Sequence, residues 1–544
     1  MEQNNPHIDP RSGFNSITKT FHSLRPPYDV PPEDATLSAV EYAFSVKATL
    51  PWRDDSVALI NPVTGQRISY SEFIRRTQSL ASYLQNEIKL CKNDTAFVLS
   101  PNSVHVPILY FSLLSLGVVI SPANPLSTKS EISRQIQLCK PVIAFATSST
   151  VQKLPKLKHR TILIDSPEFG SLMASSKHEL ERVRVNQSDL AAIMYSSGTT
   201  GKVKGVMLTH RNLTAAVASS VASRQKRECP GVTLYTMPYF HIFGFFFCLR
   251  SVALSEVAVV MERFDLKKML RAVEEFRVTH VALTPPVVVV LSKSFETDGY
   301  DLSSLEGVAC GAAPLGKDAI AAFTTRFPKV VFSQGYGLTE STGAIFRTAG
   351  PDESLHWGSV GKISAGFEAK IVNPETGEAW PPCKEGELWI RGPSIMSGYV
   401  GEPEATSATL LSDGWMRTGD VCYIDEDGFL YVVDRLKDLI KYKGYQVAPV
   451  ELEQLLLSHP EIADAAVIPY PDEEAGQVPM AFVVRQPQSS LSEAEIMDFV
   501  AKQVAPYKKI RRVAFINSIP KSPAGKIPRM ELRKIAAPGS SSRL

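Results

Sequence analysis

Residues 191–206 read AAIMYSSGTTGKVKGV. The apolar run AAIMY suits a strand buried on both faces. It gives way at once to Ser196-Ser197-Gly198-Thr199-Thr200-Gly201-Lys202-Val203-Lys204-Gly205. The glycines let the backbone bend sharply and expose N–H groups, while the hydroxyls and lysines add donors. A loop of this kind at the end of a buried strand suits a polyphosphate in an α/β fold. It is not a Walker A loop, because Gly198 and Gly201 stand too close and Val203, not Ser or Thr, follows Lys202. Taken alone, the same residues also suit an ordinary surface turn.

Working outward, the chain alternates between strand and helix. Residues 95–99, 117–121, 142–146 and 161–164 read as strands, with helices over 104–116 and 130–139. After the loop, 234–237, 278–283, 307–309 and 330–332 read as buried strands. Ahead of all these, 58–60 and 68–70 flank a turn signal, and Ser71 reads as the cap of the next helix. The pattern predicts an α/β fold of mostly parallel sheets with helices on their faces. Near residue 357 the texture turns β-rich and antiparallel, which predicts a small barrel-like subdomain over 357–436 within a large domain of 36–436. Helix 449–457, strands 465–468 and 481–484, helix 493–503 and strand 513–515 predict a separate, mobile α+β domain over 437–536. Residues 1–35, rich in Pro, Asn and Asp, and the tail 537–544 are expected to be loose.

At 544 residues the chain exceeds one compact core. Hydrophobic residues are 44% and charged residues 21%, an ordinary globular balance. A formal net charge of +2 announces no nucleic-acid partner. The most apolar stretch, 104–120, holds His105, Pro107 and Gly117 and falls short of the ~20 apolar residues of a membrane span. The 7 cysteines show no CxxC spacing, so a reducing compartment is expected. The polar start MEQNNPHIDPRSGF has no secretory signal. The end Ser542-Arg543-Leu544 resembles an SKL-type import signal. It predicts a peroxisomal import receptor as partner and the peroxisome as location, with the cytoplasm as alternative.

Further motifs follow the 196–205 loop in order: Pro238-Tyr239-Phe240-His241-Ile242-Phe243-Gly244, Gly311-Ala312-Ala313-Pro314-Leu315 and Gln334-Gly335-Tyr336-Gly337-Leu338-Thr339-Glu340. Trp415-Met416-Arg417-Thr418-Gly419-Asp420, Asp434-Arg435-Leu436-Lys437 and Pro520-Lys521-Ser522-Pro523-Ala524-Gly525-Lys526 complete the set. Together they resemble the adenylate-forming, acyl-activating enzymes over about residues 55–535. Details such as QGYGLTE and DRLKDLIKYKGYQVAP are similar to the plant 4-coumarate–CoA ligase-like branch, and the SRL end to its peroxisomal members.

The resemblance implies an ATP-dependent acid–CoA ligase that uses ATP, Mg2+ and coenzyme A on a small carboxylic acid. Lys526 would bridge acid and phosphate; as bare sequence it is a lysine in a basic tail. Pro528 stands where the family commonly has an aliphatic residue. Glu340 would hold magnesium and Thr339 would touch the α-phosphate, although Thr-Glu after a glycine turn is also good helix-start chemistry. Asp420 would hold the ribose, Arg435 the ribose or a phosphate, and Tyr336 the adenine. Residues Ser196, Ser197, Gly198, Thr199, Thr200, Gly201 and Lys202 would wrap the nucleotide with Gly311, Ala312, Ala313, Gln334, Gly335 and Gly337. Lys437 would be a hinge whose rotation withdraws Lys526 and brings Lys443 and Gly444 to coenzyme A. Lys441 and Gln446 match positions used at the adenylate or thiol step.

His241 would gate or contact the carboxylate in an acyl pocket that also includes Ile242, Phe243, Gly311, Gly335, Gly343 and Ala344. Phe243 replaces the tyrosine usual in coumarate enzymes and cannot donate to a phenolic oxygen. Gly343 and Ala344 are smaller than the usual proline and valine, which suggests a deeper pocket. A fatty, oxylipin (jasmonate-precursor) or cinnamate-type acid is therefore expected. Hydroxycinnamate ligation for phenylpropanoid metabolism and luciferase-like oxidation of the adenylate are the alternatives. Loading of a carrier protein and a catalytically silent nucleotide binder are further ones.

Overall fold

The computed structural model describes residues 7–175, 177–196, 203–224, 227–443, 445–522 and 525–536. Among these residues the strands form four sheets. One runs, edge to edge, through Gly398–Tyr399, Lys204–Thr209, Leu190–Ser196, Val119–Pro122, Thr95–Leu99, Ile143–Ala146 and Ile162–Leu163. A second is longer. Its centre is Gly343–Arg347, Val331–Leu338, Gly307–Cys310, His280–Leu283 and Val232–Tyr235. In both, parallel pairing fills the middle; antiparallel strands close both edges of the second sheet and one edge of the first, whose other edge strand, Ile162–Leu163, is parallel. Fully apolar strands such as Ile143–Ala146 are sealed on both faces, as that pairing requires.

Helices fill the space around and between the sheets. His105–Ser115 is buried nearly all round. It sets Phe111 against Phe44 and Phe73 at ring separations of 5.3 and 5.1 Å, and Tyr110 against Phe245 at 5.0 Å. Phe245 lies on helix Ile242–Ala253, so this aromatic contact joins the helices under the first sheet to the helix that borders the site. Helix Tyr70–Asn86 is capped by Ser69, whose hydroxyl accepts from the Glu72 N–H, and not by Ser71. The cap lies two residues earlier because Tyr70 is itself buried in the helix's first turn.

The β-rich part is an open sheet, not a barrel. Its path runs from Phe14–Asn15 and Thr20–His22 through Glu368–Val372, Gly386–Arg391 and Met416–Ile424 to Leu430–Arg435, and its two ends do not pair. Two of its strands come from the N-terminal segment expected to be loose. Phe14 and Phe21 are buried there with rings 4.9 Å apart, and Glu368 and Ala369 pair with His22 and Phe21. That long-range pairing offsets the polar composition of the segment.

The small unit has five strands, with Ile462–Asp472 and Gly476–Arg485 as its long hairpin. Several contacts join it to the rest, among them an apolar one of Leu439 and Ala448 with Val421. The Val450 N–H donates to the Asp434 carboxylate at 2.9 Å, the Gln454 side chain packs on Gly316, and Gly525 packs on Thr284 and Pro286. Behind Gly525, Arg529 donates two bonds of 2.9 Å to Glu453, one of 3.2 Å to Asp438 and one of 3.2 Å to the Val467 carbonyl. Arg529 and Glu453 are buried, so removing the guanidinium strands a buried carboxylate. Arg529→Met is expected to destabilise the small unit by about 3–5 kcal/mol. Chemical denaturation followed by a probe in residues 440–536 checks this, and an unshifted midpoint would refute it.

Candidate active site

Glu340 is the meeting point of three chain segments. It follows strand Val331–Leu338 in the single turn Thr339–Ser341. Its Oε1 accepts the Ser196 hydroxyl at 3.0 Å and the Tyr399 hydroxyl at 3.0 Å. Ser196 ends the strand of the first sheet and Tyr399 lies on that sheet's edge strand. The backbone is fixed too: the Met396 N–H donates to the Glu340 carbonyl at 2.8 Å. Gly337 cannot be replaced here, since a Cβ would stand 2.0 Å from the Gly343 carbonyl oxygen. Lys204 lies 4.4 Å over the Tyr399 ring, which adds a cation beside the carboxylate.

A second buried carboxylate sits nearby. Asp420 accepts the Tyr336 hydroxyl at 2.6 Å on Oδ2 and forms an ion pair with Arg435, whose Nε lies 3.1 Å from Oδ1. Asp420 holds Arg435 above the ordinary guanidinium value, against burial. Tyr336 is buried with its ring edge toward Phe346 and its hydroxyl spent on Asp420. Gln334, Gly335 and Gly337 share its strand. Gly311, Ala312 and Ala313 follow the neighbouring strand, and Ala312 takes a left-handed φ of 74°.

Lys526 enters from the small unit. Burial pulls its ammonium below the ordinary lysine value, Arg435 pulls the same way, and Asp420 and Glu340 oppose them. The lysine is thus set in the field of all three groups. His241 is the N-cap of helix Ile242–Ala253, its Nδ1 accepting from the Phe243 N–H at 3.3 Å. Burial lowers it to about 4, and Lys526 adds to that. His241 is thus a helix cap that stands within the field of Lys526. Lys437 is exposed at the junction, lowered by burial, Lys204 and Arg435.

Helix Ile242–Ala253, which His241 caps, packs against strand Gly343–Arg347, where a Cβ on Gly343 would stand 3.9 Å from the Phe246 ring. Phe243, Phe247, Gly335, Gly343 and Ala344 keep accessible surface, while Phe245, Phe246, Ile345 and Phe346 are sealed. The Phe243 and Phe247 rings meet edge-on at 4.8 Å. Ile242 is buried among the residues of the large core.

Lys441, Lys443 and Gln446 are not brought to the cleft. They lie on the exposed hairpin Ile440–Tyr442 and Tyr445–Val447, where the Lys441 N–H donates to Gln477 and Lys443 pairs with Glu474. Ser197, Gly198, Thr199, Thr200, Gly201, Lys202, Gly444 and the Ser542-Arg543-Leu544 tail lie outside the described residues. Tyr399 was not identified from sequence. It stands in Gly398-Tyr399 with no spacing to mark it, and only the long-range edge pairing brings it to Glu340.

Comparison with known proteins places these features in context. Residues 49–400 match the family described as AMP-binding enzyme, and residues 451–526 its C-terminal domain. The chain is 52% identical over 555 residues to the 4-coumarate–CoA ligase-like 9 of Arabidopsis thaliana, covering 99% of this chain and 98% of that one. It is 46% identical to the peroxisomal OPC-8:0-CoA ligase 1 of the same plant, covering 98% and 99%. The o-succinylbenzoate CoA synthetase of Bacillus subtilis, solved with its acyl-adenylate intermediate, matches with a TM-score of 0.79 at 27% identity, covering 90% of this chain and 98% of that one.

The lowered His241 has a consequence for stability. The unfolded chain binds a proton on this residue from about pH 6.5 downward, and the folded one resists until about 4. The stability is fully present above the upper value and is lost as pH falls through the window. His241→Gln is expected to lose roughly 2 kcal/mol less between pH 7 and pH 4.5 than the parent chain. Denaturant titrations at both pH values check this, and equal losses would refute it.

Proposed function

We propose, on the premise that the chain belongs to the AMP-binding enzymes and is an AMP-forming acid–CoA ligase using ATP, Mg2+ and coenzyme A, that its acid is a largely apolar fatty, oxylipin or cinnamate-type carboxylate. The acid's carboxylate attacks the α-phosphorus of ATP, pyrophosphate leaves, and the thiolate of coenzyme A then displaces AMP from the mixed anhydride. The observation that carries the residue assignment is the convergence of Lys526, Arg435, Asp420 and Glu340 in one buried cleft with His241 beside it.

Two anions must approach each other in the first step, so the cleft must hold cations where negative charge gathers. Lys526 is our candidate for bridging the carboxylate and the α-phosphate, and Arg435 for the ribose or a phosphate. Asp420 keeps an acceptor in reach of the ribose while it orients Arg435. Glu340 is the candidate magnesium ligand, with Ser196 and Tyr399 fixing one of its oxygens. Among the described residues no three acidic, His or Cys side chains form a cage. A lone carboxylate fits Mg2+, which keeps water and phosphate oxygens as its other ligands. The ion supplies charge neutralisation on the phosphates.

In the second step we propose that the small unit turns about Lys437. That carries Lys526 away and brings the hairpin with Lys441, Lys443 and Gln446 inward. The exposed position of Lys437 at the junction between the units supports such a movement. The surface that Phe243, Gly335, Gly343 and Ala344 leave accessible carries no hydroxyl, which supports an acid without a phenolic hydroxyl. The Ser542-Arg543-Leu544 end and the peroxisomal relative support import into peroxisomes. No helix among the described residues is long and apolar enough to cross a membrane.

Incubation with ATP, Mg2+, coenzyme A and a panel of acids, following AMP and thioester, tests the reading. Lys526→Ala is expected to lose adenylate formation by about 10²–10³-fold. A Lys526→Ala enzyme as active as the parent, or a clear preference for 4-coumarate, would overturn the corresponding part. Tyr399→Phe takes one hydroxyl from Glu340 and is expected to lower kcat/KM by about tenfold with the fold intact. An unchanged value would remove Tyr399 from the site.

A further inference from the structure

The strand that carries Asp420 breaks register with its neighbour. Val421 stands opposite Glu387 and Arg417 opposite Trp389, so the single residue Leu388 faces Thr418, Gly419 and Asp420. Strand Met416–Ile424 therefore bulges against Gly386–Arg391 at the place where it delivers Asp420 to the cleft. Gly419, at the centre of the bulge, takes a left-handed φ of 70°. On the other side of the strand Asp420 pairs with Arg435, and the Leu436 N–H donates to the Gly419 carbonyl at 2.9 Å.

A bulge interrupts the ladder, and the polar groups it frees need other partners. Two side chains supply them. Glu387 Oε1 accepts the Gly419 N–H at 3.1 Å, while its Oε2 accepts the Trp389 indole N–H at 2.8 Å. The Thr418 hydroxyl donates to the Leu388 carbonyl at 2.7 Å and accepts the Asp420 N–H at 3.1 Å. Glu387 and Thr418 are only 9% and 8% exposed, so water is a poor substitute for either. The Asp420 carboxylate itself is committed to Tyr336 and Arg435. Its backbone is thus held by residues that do not line the cleft through their own oxygens.

We propose that Glu387 and Thr418 are positioning residues for the nucleotide: they lock the bulge and so fix where the Asp420 carboxylate stands. The proposal deepens the ligase reading above and rests on its assignment of Asp420 to the ribose. Both side chains act through Asp420. Without either one the bulge is free to shift, and the ribose meets an acceptor that is no longer set in place beforehand.

Thr418→Val keeps the side chain's shape and removes its hydroxyl, Thr418→Ser keeps the hydroxyl, and Glu387→Leu removes the acceptor. Thioester formation gives kcat and the KM of ATP, acid and coenzyme A. Calorimetry gives the Kd of AMP, alone and in an Asp420→Asn background. Thr418→Val and Glu387→Leu are each expected to raise the KM of ATP and the Kd of AMP about five- to tenfold. The KM values of acid and coenzyme A are expected to stay within about twofold, and Thr418→Ser to recover most of the nucleotide affinity. In the Asp420→Asn background Thr418→Val is expected to weaken AMP by less than about twofold more, because both changes act on one contact. Full additivity there, an unchanged nucleotide affinity in Thr418→Val, or KM values that rise together for all three substrates overturns this proposal alone. If Glu387→Leu does not fold, the Thr418 series decides. An Asp420→Asn protein that binds AMP like the parent overturns the ribose assignment and this proposal with it. No thioester from any acid overturns the ligase reading itself.

Discussion

Asp420 accepts a tyrosine hydroxyl on one oxygen and forms an ion pair with an arginine on the other, and those contacts draw distant segments into one wall. Tyr336 belongs to the long mixed sheet, Asp420 and Arg435 to adjacent strands of the open sheet. A carboxylate with this little exposure has to be paired and hydrogen-bonded, so the two sheets cannot drift apart without leaving it bare. Arg435 is also the last residue of its strand before the junction. The bond that seals the cleft thereby fixes where the small unit starts.

From that start the small unit is tied down through Arg529. This residue lies three positions after Lys526, and its guanidinium reaches Glu453 on one helix, Asp438 in the junction and the backbone of the long hairpin. The lysine loop is short, and its far end is anchored by charge on the same side as the junction. Lys526 therefore reports the orientation of the whole unit, and a rotation of that unit moves the ammonium with it.

The parallel strands were legible because their residues are apolar on both faces, and the cleft because its loops sit at the ends of those strands. Glu340, Asp420, Arg435 and Lys526 stood in recognisable motifs, and the fold brings them together. What escaped depended on pairing between residues far apart in the chain. Phe14 and Phe21 sit in a polar segment whose strands exist only because Glu368–Val372 accepts them. Tyr399 reaches Glu340 only through an edge pairing with Val206. Closure of the β-rich sheet was misjudged because strand count says nothing about whether the outer strands meet.

The hydrogen bond that makes His241 a helix cap also settles its protonation pattern. An N–H already points at Nδ1, so that nitrogen presents a lone pair and the neutral ring carries its single hydrogen on Nε2. In this tautomer, with Lys526 resisting a second proton, the ring has no free basic nitrogen to offer a visitor. It can hand a hydrogen bond to an anionic oxygen and orient it, but it cannot strip a proton from it. A group that reaches this ring can take a hydrogen bond from it but cannot leave a proton on it.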